Sequence, residues 1–172
     1  MVYSFSVRIA MNRTLESLLR FVNLTTSGLL AGSLGFGEAA LVPGWQEELP
    51  HHESWRERIE HLRELNYFNA IGPVALGTAV TLAVGTRDVK PIRRVLDAAT
   101  VLGLAGVLAS TIMVTVPINK ELEAQPPTDY PSDRSHSLTK NWARAHAVRT
   151  TLGIGAFVCA VAASNIAAKK KG

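Results

Sequence analysis

The sequence predicts an all-α fold: an integral membrane four-helix bundle. Charge is excluded from four stretches of a chain that is otherwise ordinarily charged, at 19% Asp, Glu, Lys and Arg. Glu38 is the sole charged residue from Phe21 to Trp45, and none occurs in 65–86, 98–119 or 150–168. Each stretch is about 20 residues long, the length of helix that crosses a hydrocarbon core. A soluble bundle of the same composition (47% hydrophobic) would carry a charged stripe along each helix, and these stretches carry none.

The 172 residues then form a single membrane domain, 1–172, with spans at about 18–43, 66–84, 95–117 and 141–167. Residues 1–17 are mixed and are expected at the membrane surface. The first span is rich in small residues, and Gly28 and Gly32 have the spacing that lets helices approach closely. Glu38 lies one turn before its end, a costly place for a carboxylate unless it is paired or wet. Pro43 and Gly44 follow. From Glu53 onward, Trp55, Ile59 and Leu62 share one face of a short amphipathic interfacial helix in the first loop. Asn66 and Asn69 open the second span one turn apart. A basic turn with Arg87, Lys90, Arg93 and Arg94 leads into the third span, on which Thr111, Thr115 and Asn119 recur at i, i+4 and i+8. This helix is expected to end at Pro117 and Asn119. A loop with Pro126, Pro127 and Pro131 follows. On the fourth span Trp142, His146, Arg149 and Gly153 share one face at i, i+4, i+7 and i+11.

Basic residues orient the bundle. Placing both termini and the 85–94 turn in the cytosol puts ten of the 18 Lys/Arg there, with three of the 14 Asp/Glu. The expected topology is therefore N-in, C-in. Asn12-Arg13-Thr14 is a glycosylation sequon, silent on that side. A glycan on Asn12 in a eukaryotic host would overturn the assignment. The sequence pI of 9.5 then reflects topology. No basic groove with stacking aromatics suggests nucleic-acid binding. Cys159, the single cysteine, lies inside the fourth apolar stretch and permits no intrachain disulfide.

Topology gathers what linear order separates. The end of span 1, the start of span 2, the end of span 3 and the start of span 4 share one membrane face. Glu38, Asn66, Asn69, Thr115, Asn119, Trp142, His146 and Arg149 are thus expected together, on the non-cytoplasmic side, and the cytosolic end has no comparable set. The plain structural alternatives are an ion pair of Arg149 with Glu38, a hydrogen-bonded interfacial His146 and an anchoring Trp142. His51, His52 and His61 offer metal-ligand types without a recognised ligand spacing, and H-E-x-x-H is absent. G-x-S-x-G, a glycine-rich phosphate loop and C-x-x-C are also absent, so common hydrolase, kinase and dinucleotide readings lack support.

E-A-A-L-V-P at the end of span 1, N-x-x-N opening span 2, T-V-P-I-N-K-E-L closing span 3 and W-x-x-x-H-A-V-R opening span 4 resemble the anthrone oxygenase family of small membrane proteins, over about residues 24–165. The matching positions are Pro117, Asn119, Trp142, His146 and Arg149; the loop histidines are not among them. The resemblance implies a membrane oxygenase that takes an anthrone-type aromatic polyketide to an anthraquinone in secondary-metabolite biosynthesis. Molecular oxygen is co-substrate and no cofactor is expected. In a fungal cell the membrane would be an endomembrane. The expected partners are a hydrophobic aromatic substrate, the lipid bilayer and a second copy of the chain. His146 is the expected base, near whose ordinary pKa such chemistry runs. Arg149 and Asn119 are the expected holders of the developing anion. Two other readings compete: a haem- or copper-binding membrane oxidoreductase using His146 as a ligand, and a non-catalytic membrane scaffold.

Overall fold

The structure, a computed structural model, describes residues 11–44, 64–86, 89–124 and 133–166. Helix α1 spans Arg13–Phe36 and runs on through a π-helical turn at Gly37–Leu41. Helix α2 spans Glu64–Gly85 and α3 spans Pro91–Ser110. A second π-helical turn, Thr111–Thr115, joins α3 to α4, Val116–Ala124. Helix α5 spans Asp133–Asn165. All described secondary structure is helical, and because α3 and α4 form one continuous rod, the rods number four. The expected interfacial helix, the loop histidines 51, 52 and 61, and Pro126, Pro127 and Pro131 lie outside the described residues.

Local chemistry sets the helix starts. The Asn12 side chain caps α1 by accepting from the Thr14 N–H at 2.9 Å. Pro91 takes the first turn of α3, where a missing N–H costs nothing. Within the apolar stretches, hydroxyls are silenced by bonding back one turn: Thr26 to the Val22 carbonyl, Thr78 to Val74 and Thr81 to Gly77, each at 2.8 Å. Among the described residues three helices, Tyr67–Gly85, Pro91–Leu122 and Asp133–Asn165, are long and apolar enough to cross a membrane. Helix α1, diluted by Gly, Ser and Thr, packs along them.

The rods form a square in chain order. Helix α1 packs on α2 and α5, and α3 packs on the same two. Neighbours run antiparallel. Asn23 of α1 donates to the Ala75 carbonyl of α2 at 2.9 Å, and Gly28 of α1 meets the Phe157 ring of α5. At Gly103 of α3 a Cβ would stand 2.9 Å from the Ala156 Cβ, so only glycine lets α3 and α5 come this close. Gly32, expected to share that packing role with Gly28, instead has nothing near it and is exposed. The main core is built from Leu30, Leu34, Ala75, Ala79, Leu104, Val107 and Ala156. A second apolar cluster, Val42, Ile118, Leu122, Leu138 and Trp142, closes one end of the bundle.

Two expectations are corrected here. The third rod does not stop at Pro117 and Asn119, because the π turn just before Pro117 accommodates the proline and helix resumes to Ala124. Nor is the other end of the bundle empty of polar groups. Arg20 grips Asp97 through both terminal nitrogens at 3.1 Å and reaches Glu16 at 3.2 Å. Arg93 also bonds Glu16. Arg93 and Asp97 are buried. Those four charges count toward topology in the sequence, but α1 and α3 bring them together as one network.

Candidate functional site

The polar residues of the opposite end sit between the two apolar clusters, and three rods supply them. Helix α5 contributes Trp142, His146, Arg149 and Thr150, all buried. Their 3.6-residue spacing puts them on one face, with Gly153 below. Helix α1 and its π turn bring the Leu34 carbonyl, Gly37 and Glu38. The α3–α4 rod brings Thr111, Thr115 and Asn119. Both π turns therefore flank α5 at the same level. Such turns recur at functional sites, because the extra residue breaks the regular carbonyl ladder and re-aims side chains.

His146 is the hub. Its ring stacks on Trp142, with centroids 5.2 Å apart and planes 7° from parallel. Arg149 Nη2 lies 2.9 Å from His146 Nδ1. A guanidinium can only donate, so Nδ1 is the acceptor and the ring proton sits on Nε2. From Nε2 that proton is shared toward the Leu34 carbonyl at 3.3 Å. Thr150 Oγ1 donates to the same carbonyl, also at 3.3 Å. Gly37 makes this contact possible: a Cβ there would stand 2.9 Å from Nε2. Glu38 Oε2 lies 3.9 Å from Nε2, outside hydrogen-bond range.

Arg149 is held by Thr111 Oγ1 at 3.4 Å and lies with its guanidinium carbon 5.8 Å from the Trp142 ring centre. It forms no ion pair with a described residue. The alternative of an Arg149–Glu38 ion pair is thus not realised, and the Glu38 carboxylate stands beside His146 instead. A buried cation without a counter-ion is costly, and it favours any group that develops negative charge beside it.

Four buried polar atoms at this end have no hydrogen-bond partner among the described residues: Glu38 Oε2, Thr115 Oγ1, Asn119 Oδ1 and Arg149 Nε. Buried polar atoms are seldom left unpaired, so each is a candidate contact for a ligand or a water.

The sequence-predicted residues divide accordingly. Trp142, His146 and Arg149 form one cluster, with Glu38 against it. Thr115 and Asn119 add buried oxygen atoms from the α3–α4 rod. Asn69 is exposed on α2, and the side chain of Asn66 lies outside the described residues. Gly37, Thr111, Thr150 and the Leu34 carbonyl were not among the expected site residues. Thr111 shares the Thr115 and Asn119 periodicity and Thr150 adjoins Arg149, so a signal existed for both. Nothing local marks Gly37 or a backbone carbonyl, whose roles depend on how close α5 comes. Among the described residues no three His, Cys, Asp or Glu side chains converge as a metal site would require. Both ring nitrogens of His146 are engaged by protein groups.

The model of the family described as Anthrone oxygenase matches residues 64–159. That stretch contains Thr111, Thr115, Asn119, Trp142, His146 and Arg149, and it excludes α1 with Gly37 and Glu38. No curated protein and no solved structure matches.

Proposed function

We propose that this chain, which belongs to the anthrone oxygenase family, is a membrane-bound oxygenase that takes an anthrone-type aromatic polyketide to the anthraquinone, with molecular oxygen as co-substrate and no resident cofactor. The ring methylene loses both hydrogens. One atom of O2 becomes the new carbonyl and the other leaves as water. Removal of a proton gives an electron-rich anthrolate, which passes one electron to O2. The resulting pair joins through a new C–O bond. The peroxide takes up a proton, and loss of water completes the quinone.

One observation carries this reading: Arg149 is a buried guanidinium with no carboxylate partner among the described residues, set against an aromatic stack between two apolar clusters. The reaction develops negative charge twice, on the anthrolate oxygen and on the peroxide. A preorganised cation in a water-poor site stabilises both without reorganising. Arg149 Nε, without a partner among the described residues, supports that role. Asn119 and Thr115 supply polar atoms that can meet the substrate's ring oxygens, and Trp142 supplies a flat apolar wall. A flat, greasy tricycle dissolves in the bilayer and reaches the site from it. The site end is assigned to the non-cytoplasmic face on the charge asymmetry of the loops.

The test uses the full-length protein in lipid nanodiscs with anthrone. Expected is one O2 consumed per anthraquinone formed, with no hydrogen peroxide released, at a rate well above that of protein-free nanodiscs. A rate equal to the protein-free control removes the reading.

A further inference from the structure

We propose that Glu38, and not His146, takes the substrate's proton, and that His146 is a positioning residue standing between that carboxylate and Arg149. The inference rests on the oxygenase reading above and deepens it. A base needs a lone pair that substrate can reach. The lone pair of His146 is on Nδ1 and is occupied by Arg149 at 2.9 Å. Its other nitrogen carries the proton and points it at the Leu34 carbonyl. Each imidazole nitrogen is therefore committed to the protein.

Glu38 is the reverse case. Its Oε2 is buried and has no hydrogen-bond partner among the described residues, while over a third of the side chain, 37%, remains open to the surroundings. It is thus a carboxylate with one oxygen held inside and uncommitted, on a side chain that also reaches the surroundings. Two features hold it there. The π turn at Gly37–Leu41 re-aims the chain just where Glu38 leaves it, with the Val42 N–H returning to the Gly37 carbonyl. His146 Nε2 lies 3.9 Å from Oε2, near enough for the ring dipole to orient the carboxylate and too far to occupy it. The order Glu38, His146, Arg149 also sets the guanidinium one ring away from the carboxylate. The cation is then free to meet the anion that proton removal creates.

In this step the methylene C–H bond breaks. Its electron pair stays on the ring system and the proton passes to Glu38 Oε2. Glu38 later returns that proton to the peroxide formed with O2, which restores the carboxylate. Glu38 lies outside the matched range of residues 64–159.

Proton removal can be measured without oxygen. Anthrone in D2O, held anaerobically with the full-length protein in nanodiscs, should gain deuterium at its methylene faster than in protein-free nanodiscs. Glu38→Gln is expected to lose this acceleration by about 100-fold or more, the usual weight of a general base. Glu38→Asp should recover part of it. His146→Asn keeps a donor beside Glu38 and an acceptor for Arg149, and should stay within about tenfold of the parent protein. A thermal melt confirms that each variant is folded. Glu38→Gln exchanging at the parent rate overturns the proposal, as does His146→Asn exchanging no faster than protein-free nanodiscs while Glu38→Gln still exchanges. Exchange by the parent protein without oxygen uptake removes the oxygenase reading and leaves Glu38 as the base. No accelerated exchange by the parent protein removes both.

Discussion

The two ends of the bundle bury ionisable residues in opposite ways. At one end Glu16, Arg20, Arg93 and Asp97 are matched in charge, two against two, and Arg20 and Asp97 meet in the fork geometry that favours guanidinium and carboxylate. At the other, Arg149 is buried against a neutral histidine, and Glu38 stands near without touching. Among the described residues the first end leaves one buried side-chain atom unpaired, Arg93 Nε. The second leaves Glu38 Oε2, Thr115 Oγ1, Asn119 Oδ1 and Arg149 Nε. Burying polar groups is costly in both places. One end offsets that cost internally and so fastens α1 to α3. The other leaves the cost standing, which is how sites that await a ligand are built.

The largest expected effect lies at the matched end. Asp97→Ala strands Arg20 and leaves it, part-buried, to share Glu16 with the buried Arg93. Loss of one partner from a buried pair costs about 3–5 kcal/mol, read as a lower melting temperature in detergent. Whatever protein remains folded should turn over normally, since the site is at the far end. Arg149→Met should do the opposite. Removing a transition-state donor lowers kcat by about 10²–10³-fold, while the melting temperature holds or rises, because an uncompensated buried charge is gone. If Arg149→Met destabilises as Asp97→Ala does, the contrast between the two ends is void.

Gly37→Ala probes the approach of α1 to α5. Its Cβ would lie 2.9 Å from His146 Nε2, so the ring must shift by a few tenths of an ångström or more. Displacement on that scale lowers turnover by up to about tenfold, less than the roughly 100-fold that a full ångström can cost, with a smaller change in stability. Parent-like turnover would show that the His146 position is not critical. Arg134 and Glu121 give the smallest effect. They pair at 2.6 and 2.9 Å, but both side chains are largely exposed, at 63% and 42%. Solvent screens such pairs, so Arg134→Ala should leave both melting temperature and turnover unchanged. A clear loss of either would mean that the junction of α4 and α5 bears on the site.

Much of the site was legible in the chain because helical periodicity is a local property. Trp142, His146, Arg149 and Gly153 share a face by spacing alone, and all four are buried there. Antiparallel topology then predicts that the end of the first helix and the third rod meet that face, as Glu38 and Thr111 do. Spacing does not say which donor meets which acceptor. Glu38 and Arg149 look like natural partners by charge, yet Arg149 takes His146 Nδ1 and Thr111. The network at Glu16, Arg20, Arg93 and Asp97 was hidden for the same reason: its members stand 77 residues apart in the chain.

The sequence by itself determined that the fold is helical, that it belongs in a membrane, and that its polar residues collect where apolar helices end. Those facts follow from composition along the chain, since hydrocarbon cannot solvate charge and an α-helix repeats every 3.6 residues. The tertiary structure alone decided which polar groups are satisfied. That outcome depends on ångström-scale approach between rods: on glycine at Gly37, on two π turns facing one level of α5, and on a backbone carbonyl at Leu34 that has no side-chain signature. The expectation of His146 as base came from its residue type together with the family resemblance. The reading of Glu38 as base comes from the geometry that occupies His146 and leaves Glu38 open.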